Sequence, residues 1–210
     1  MSHTVLFPVS DAIPTGADRE PVLEKFLDWA DEAHDTPVPD VLSAFFGQPL
    51  DTRTLRITGL HHVALYIGDY RDEKDFEDWL ETVSACPRVN HVTTGPSHIA
   101  PRAYGTPGHW INLRTALGNE VELFTCRRRD IWAERPAEQK TTLMSHFGLC
   151  VDTPGHVRAL LDFLASFDGV RLLAYAPADE LGHTYGHLVR DDTDRVLELV
   201  YAGVQPGGPA

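Results

Sequence analysis

Apolar side chains recur along the chain with two different periods, and these periods alternate in a fixed order. The run LHHVALYI, bounded by glycines at 59 and 68, is short and mostly apolar, as is typical of a β-strand. The next segment, DEKDFEDWLETV, carries its large apolar residues at helical spacing and predicts an amphipathic helix. Extended segments follow near residues 89–94, 109–114 and 119–125. The pattern therefore predicts a βαβββ module over residues 58–126.

The same order of elements recurs in the second half of the chain. MSHFGLCVD is another short apolar run, and the Thr153-Pro154 pair favours a helix start because proline suits the first helical turn. A stripe of apolar residues at helical spacing follows, and then extended segments near 170–175, 184–190 and 195–201. We therefore predict a second βαβββ module over residues 145–204, which makes the chain a tandem repeat.

Two further segments lie outside the repeat. Residues 1–57 contain two stretches with apolar residues at helical spacing, interrupted by Pro37 and Pro39, and we interpret them as an N-terminal helical extension that packs on the main body. Residues 127–144 are polar and indicate a linker between the modules. The predicted fold class is thus α+β, with two tandem βαβββ modules and a helical extension.

Composition narrows the class of protein. The chain has 18 basic and 31 acidic residues, a formal charge of −13, which argues against nucleic acid or an anionic membrane surface as the main partner. An anionic substrate stays compatible with this charge, because a bound metal ion can reverse the field inside a pocket. The hydrophobic fraction of 42% is typical of a globular protein and argues against a disordered chain.

The cysteines and the beginning of the chain bear on its compartment. Cys86, Cys126 and Cys150 are odd in number, widely spaced and form no CxxC pair, so a disulfide framework is not indicated. Neither a signal peptide nor an apolar stretch of membrane-spanning length is apparent. We therefore expect a cytoplasmic protein whose partner is a small-molecule substrate, and the leading helices and apolar strand edges make a homodimer plausible.

Histidine is unusually frequent, with 11 copies against 2 methionines and 3 cysteines, and it is the commonest metal ligand. The repeat separates two of these histidines from the rest. Aligning the modules places His62 on His146 and Glu122 on Glu198, with a histidine-to-glutamate spacing of 60 positions in the first module and 52 in the second. The extra residues fall in the Pro/Gly-rich stretch 95–108, where a loop insertion is easily accommodated.

Four short pieces of the chain, taken together and in order, resemble the vicinal oxygen chelate superfamily. They are LHHVALYI, NEVELFT, SHFGLCVD and GHLVRDDTDRVLELVY. The superfamily includes glyoxalase I, methylmalonyl-CoA epimerase, fosfomycin-resistance enzymes, extradiol dioxygenases and the metal-free bleomycin-resistance proteins. The resemblance covers roughly residues 58–202 and implies a glyoxalase-like fold, in which the βαβββ modules form paired half-barrels.

The same resemblance implies a divalent metal ion, Zn, Ni, Co, Mn or Fe, bound by His62, Glu122, His146 and Glu198. Imidazole and carboxylate donors without a thiolate suit such ions, and a histidine or glutamate left unpaired on an apolar strand face would be costly. His61 is the alternative to His62, because a shift of one residue in the strand register exchanges the two faces.

Three functions are compatible with these residues. If all four bind, the metal acts as a Lewis acid on neighbouring substrate oxygens and stabilises an enediolate while Glu122 or Glu198 moves a proton, which is isomerase, epimerase or lyase chemistry. If only His62, His146 and Glu198 bind, the open positions suit Fe(II) and dioxygen, as in an extradiol-type dioxygenase. Without metal, the fold would sequester a drug or metabolite. Glu122 favours the first function, because it fills a position that dioxygen or substrate would need.

Three more residues are candidates for binding the substrate. His187 lies in the penultimate strand of the second module, where it could line a pocket or shuttle protons. His109 and Tyr104 lie beside or within the loop PRAYGTPG, whose glycines would let it move over a pocket. No piece of the sequence points to one substrate, so the expectation stops at a small oxygenated metabolite.

Overall fold

The computed structural model describes residues 19–97, 99–127, 145–178, 182–193 and 195–203, and the side chains of residues 103 and 104 are outside the description. The described helices are α1 (Arg19–His34), α2 (Val38–Phe46), α3 (Glu73–Ala85), α4 (Ile99–Tyr104) and α5 (Pro154–Leu164). The described strands are β1 (Ile57–Tyr70), β2 (Val89–Pro96), β3 (Gly108–Thr115), β4 (Glu120–Arg127), β5 (His146–Val151), β6 (Val170–Ala176), β7 (Thr184–Arg190) and β8 (Val196–Tyr201). This order confirms the α+β fold class and the tandem βαβββ arrangement. Apart from Arg127, which ends β4, the predicted linker lies outside the described residues.

The chain divides into two compact units, and each takes one of the leading helices. The first unit comprises Met1–Thr36 and His62–His146, and so contains α1 and most of the first βαβββ module. The second comprises Pro37–His61 and Phe147–Ala210, and so contains α2 and the second module from Phe147 onwards. The segment that the sequence groups as one extension therefore supplies a helix to each unit.

In the first unit the strands follow the order β2-β3-β4-β1. β2 and β4 both pair with β3 in antiparallel fashion, and β4 pairs with β1 in parallel. Helix α3 begins at the capping residue Asp72, whose carboxylate accepts a hydrogen bond from the backbone N–H of Asp75 at 3.0 Å. The helix buries Phe76, Trp79 and Val83, the apolar stripe that the sequence pattern predicts.

Helix α1 is held in the first unit by both apolar and charged contacts. It buries an apolar face made of Leu23, Phe26, Leu27, Ala30 and Ala33. On its polar side, three of its carboxylates surround the guanidinium of Arg88 at the start of β2, with nitrogen–oxygen distances of 2.7–2.8 Å. At its end, His34 donates a hydrogen bond from Nε2 to the carbonyl oxygen of Glu120 in β4, at 2.8 Å. These contacts tie both ends of α1 to the strands.

In the second unit the strands follow the order β5-β8-β7-β6. Helix α5 packs close to β7, because Gly186 has no side chain: a Cβ there would lie 2.3 Å from Cδ1 of Leu161. At the end of helix α2, two arginines donate hydrogen bonds to backbone carbonyl groups. Arg190 donates to the carbonyl oxygen of Phe45 at 2.9 Å, and Arg195 donates to that of Ala44 at 3.0 Å. The arginines of the RDDTDR turn thus stabilise the end of α2.

The structure adds detail that the sequence pattern does not show. Strand β1 extends from Ile57 to Tyr70, beyond both ends of the predicted run. The stretch 95–108 contains a short helix, α4, in which Ile99 and Ala100 are buried, and the backbone N–H of Ser97 donates to the carbonyl oxygen of Gly108 at 2.8 Å. This insertion is therefore partly packed. Among the described residues, no helix has both the length and the apolar character needed to cross a membrane.

Candidate metal centre

Three of the predicted metal ligands meet within the first unit. His62 comes from β1, Glu122 from β4 and His146 from the first position of β5. The side chains of His62 and His146 are 10% and 0% exposed, whereas that of Glu122 is 17% exposed. Of the three side chains, that of Glu122 is therefore the most exposed to solvent.

The donor atoms of these three side chains face one another. Nε2 of His62 lies 3.4 Å from Nε2 of His146. Oε2 of Glu122 lies 3.8 Å from Nε2 of His62 and 3.9 Å from Nε2 of His146. The same two nitrogens and one oxygen thus form a small triangle, as the ligands of a metal ion do.

The triangle has the size that a divalent transition metal requires. Three atoms separated by 3.4, 3.8 and 3.9 Å share a central point roughly 2.1 Å from each, and metal–nitrogen and metal–oxygen bonds are about 2.0–2.2 Å long. The donors are of the imidazole and carboxylate types that suit Zn, Ni, Co, Mn or Fe. The residues present therefore fit a divalent cation.

Neighbouring contacts position His146 at the beginning of β5. Ser145, directly before His146, accepts a hydrogen bond at its Oγ from the backbone N–H of Tyr66, at 3.1 Å. The ring of Phe124 lies 5.6 Å from that of His146. Both contacts hold the beginning of β5 against β1 and β4, which places the imidazole of His146 opposite that of His62.

The structure also separates the candidates that the sequence left close together. His62 belongs to the triangle, and its neighbour His61 points to the opposite side of the strand because side chains alternate. Glu120 lies two residues before Glu122 on the same face, but its carboxylate is bound by the guanidinium of Arg114, with Nε donating at 2.6 Å. The carboxylate beside the two imidazoles is therefore that of Glu122.

The other two predicted site residues of the second module lie together in the second unit. Glu198 and His187 are direct partners in the β7–β8 register, and their side chains approach at 3.7 Å, from Nε2 to Oε1. Both are buried. Glu198 is the third residue of β8, just as Glu122 is the third residue of β4, so the repeat in the sequence is a repeat in the structure.

The remaining predicted substrate residues differ in their placement. The ring of His109 stacks on Phe76 of α3 at 4.3 Å, and this histidine alternates along β3 with the residues that pair with Glu122 and Phe124. It therefore lies on the helix side of the strands, away from the triangle. Tyr104 ends α4, and its side chain is outside the described part of the chain.

Two more residues lie near the triangle: Trp110, whose sequence position allows either a pocket-shaping or a core role, and Asn112, which has no counterpart among the sequence-based candidates. Asn112 is the direct partner of Glu122 in the β3–β4 register, and Trp110 is the partner of Phe124. His187 holds the equivalent place opposite Glu198. Aligning HWINL with TYGHL would have placed Asn112 on His187, which is the signal that the sequence offered.

One further titratable group lies beside β4. The pKa of His34 is lowered, mainly because the ring is buried, and the nearby His62 acts in the same direction. The hydrogen bond that His34 donates to the carbonyl of Glu120 opposes this change only in part. The end of α1 therefore presents a histidine that favours its neutral form.

Comparisons with known proteins find matches among solved structures only. No family model matches the chain, and neither does any curated protein. A mutant of 4-hydroxymandelate synthase from Streptomyces coelicolor matches with 16% identity and a TM-score of 0.42, over 73% of this chain and 51% of that one. A glyoxalase I mutant from Zea mays matches with 20% identity and a TM-score of 0.39, over 71% and 45%. Methylmalonyl-CoA epimerase from Mycobacterium tuberculosis matches with 15% identity and a TM-score of 0.39, over 71% and 91%.

The chain spans about half the length of the first two of these proteins. The fold assignment rests on the described structure alone, because each half of the chain has the βαβββ order that the sequence pattern predicts.

Proposed function

We propose that this chain is a metal-dependent enzyme that moves a proton at a carbon next to a carbonyl group in a small oxygenated metabolite. One observation carries the proposal: the Glu122 carboxylate lies 3.8 and 3.9 Å from the facing nitrogens of two buried imidazoles. A carboxylate in this place fits isomerisation, epimerisation or lyase chemistry better than oxygen chemistry, because it occupies a position that dioxygen would need.

In this proposal His62, Glu122 and His146 hold a divalent cation, and Glu198 supplies the fourth ligand. The support for Glu198 is the repeat, which gives it the place in β8 that Glu122 has in β4. When bound, the cation would supply Lewis-acid polarisation of two neighbouring substrate oxygens. Its identity within the group Zn, Ni, Co, Mn and Fe is open to measurement.

The chain's own residues would divide the work between holding and proton transfer. His62 and His146 are buried and fixed, so they hold. Glu122 is partly exposed, so its carboxylate would contribute a ligand in the resting site and could leave that position to take a proton from the carbon beside the carbonyl and return it to the same or the adjacent carbon. No atoms are gained or lost in this exchange. Glu198, 6% exposed, is the second carboxylate that could carry the proton.

Metal reconstitution and isotope exchange test this proposal together. The protein is stripped with chelator, reloaded anaerobically with each candidate ion and analysed for metal content. Hydroxyacetone is then incubated with the loaded protein in D2O, and loss of the protons on its hydroxymethyl carbon, which lies next to the carbonyl group, is followed by proton NMR. We expect one ion per chain and catalysed exchange of those protons for deuterium.

The matched variants are Glu122→Gln and Glu120→Gln, which remove one carboxylate each from the same strand face. We expect Glu122→Gln to slow exchange by about 10²-fold or more, the usual contribution of a general base, while Glu120→Gln keeps the rate within a few-fold. Tight iron binding with oxygen uptake on a catechol would instead establish the extradiol-type dioxygenase. A protein that retains no metal after reconstitution would point to a small-molecule binding protein.

A further inference from the structure

The indole of Trp110 lies against the backbone of the neighbouring strand. Trp110 and Gly95 are direct partners in the β2–β3 register, and a Cβ at Gly95 would stand 2.5 Å from Cζ2 and 2.9 Å from Cε2 of the indole. Any other residue at position 95 would therefore push the ring away. Glycine within a strand is unfavourable by itself, and it marks places where another group approaches the backbone closely.

This indole belongs to the same strand face as the metal triangle. In the β3–β4 register, Asn112 stands opposite Glu122 and Trp110 stands opposite Phe124, one step further along the same face. The opposite face of β3 carries His109, which stacks on α3. Trp110 therefore lies on the face away from α3. A tryptophan in a strand usually packs in the core under a helix, and this explanation does not apply to a residue on that face.

Exposure indicates which side of the triangle a substrate can approach. His62, His146 and Phe124 are buried, whereas Gly95, Trp110 and Asn112 are all half-buried. Together with the partly exposed Glu122 they form an accessible surface. It presents an indole and a side-chain amide, and the amide belongs to the direct register partner of Glu122.

We propose that Gly95, Trp110 and Asn112 form the substrate subsite next to the metal centre, and that the substrate carries a planar, unsaturated group beside its oxygen atoms. The planar group lies on the indole, which offers a broad apolar face. The side-chain amide of Asn112 donates a hydrogen bond to a substrate oxygen, one residue pair away from the ring. This inference rests on the proposed function for the centre itself, and it names the class of substrate.

Two chelating probes that differ only in the planar group measure the contribution of the indole. Benzohydroxamate and acetohydroxamate both present two neighbouring oxygens, and they differ in having a phenyl ring or a methyl group. We expect the metal-loaded protein to bind benzohydroxamate about tenfold more tightly, within the range of aromatic contacts. Trp110→Ala should bring this ratio close to one with little change for acetohydroxamate, and Trp110→Phe should keep part of the preference.

A second measurement needs neither metal nor a destabilising variant. The chain has four tryptophans, at positions 29, 79, 110 and 132, and labelling with 5-fluorotryptophan gives each its own fluorine resonance, with Trp110 assigned from Trp110→Phe. In metal-free protein, benzamide should shift the Trp110 resonance and leave those of Trp29 and Trp79 in place. Acetamide, which has the same amide but no ring, should shift none of them.

The outcomes separate this subsite from the metal centre. If both hydroxamates bind equally well to the loaded protein and benzamide leaves the Trp110 resonance unchanged, the subsite is wrong and the metal centre stands. If neither hydroxamate binds in a metal-dependent way while benzamide still shifts Trp110, the planar-group subsite stands and the proposed metal chemistry fails.

Discussion

At the scale of single residues, the chemistry of the centre depends on which partner each carboxylate meets. Glu120 and Glu122 lie on the same face of β4, two residues apart. The first is bound by Arg114 and is 33% exposed, whereas the second faces two imidazoles and is 17% exposed. An ion pair as open to solvent as this one contributes little to the free energy of unfolding. This pair nevertheless holds the Glu120 carboxylate at Arg114. Glu122 is therefore the carboxylate that lies beside the two histidines.

Glycines offer a sharp test of packing at the same scale. A Cβ at Gly186 would meet Cδ1 of Leu161 at 2.3 Å and the carbonyl oxygen of Ala174 at 3.0 Å. We expect Gly186→Ala to lower the free energy of unfolding by about 1–3 kcal/mol, the usual effect of overpacking. The matched control is Gly155→Ala in α5, where nothing lies within 4 Å. It should raise stability by about 0.5–1 kcal/mol.

Urea unfolding of both variants, followed by circular dichroism, measures these changes. Equal stability of the two variants would show that β7 and α5 separate without cost and would contradict the close packing described above.

At the scale of elements, one arginine that serves three carboxylates helps to attach α1 to the first unit. Arg88 contacts Glu24, Asp28 and Asp31, which occupy one side of α1 at helical spacing. Asp31 also accepts a hydrogen bond from Nδ2 of Asn119 at 2.9 Å. Without the guanidinium, the three carboxylates would repel one another along the helix.

Replacing this arginine should therefore loosen α1 selectively. We expect Arg88→Met to lower the free energy of unfolding by about 1–2 kcal/mol at low salt, since it removes a network and not an isolated pair. Arg171→Met is the control, because Arg171 makes an exposed pair with Asp191. That variant should lose less than about 0.5 kcal/mol.

Hydrogen exchange locates the effect of Arg88→Met. Amides of α1 should exchange faster in Arg88→Met while those of α5 stay protected, and added salt should reduce the difference from the unmodified protein, since screening weakens the repulsion. Uniform loss of protection across both helices would mean that α1 opens only together with the rest of the fold, which would contradict a selective role for Arg88.

The elements and the two histidines of the triangle could be predicted from the sequence itself, whereas the meeting of the ligand side chains was implied only by the resemblance to a known superfamily. Strand and helix periods are local, and the duplication marks His62 and His146 without any knowledge of contacts. The sequence offered only an indirect signal for the subsite, because Asn112 and Trp110 are placed beside Glu122 and Phe124 by the β3–β4 register, which depends on residues outside each strand. His109 was a candidate because of its type and loop position, yet the alternation of β3 turns it towards α3.

At the scale of the whole molecule, buried titratable groups set the pH range in which the fold is stable. The pKa of His34 is lowered by burial, so unfolding takes up a proton and stability falls as the pH drops below the ordinary histidine value of about 6.5. Burial raises the pKa of the Cys126 and Cys150 thiols. Unfolding then releases protons, and stability falls as the pH rises above the ordinary thiol value of about 8.5.

These directions of the pKa changes predict that the contribution of His34 and the two cysteines to the free energy of unfolding is most favourable to the fold between about pH 6.5 and 8.5. The acid side can be assigned to one residue with His34→Gln, in which the amide still donates to the Glu120 carbonyl but no longer titrates. The variant should match the unmodified protein above pH 7 and lose less stability than it between pH 7 and 5, in urea unfolding at half-unit intervals. If the two curves fall in parallel below pH 6.5, the buried histidine contributes nothing to the acid limit. A variant curve that falls more steeply would mean that His34 is charged in the folded state, because a protonated histidine held by the fold would stabilise it at low pH.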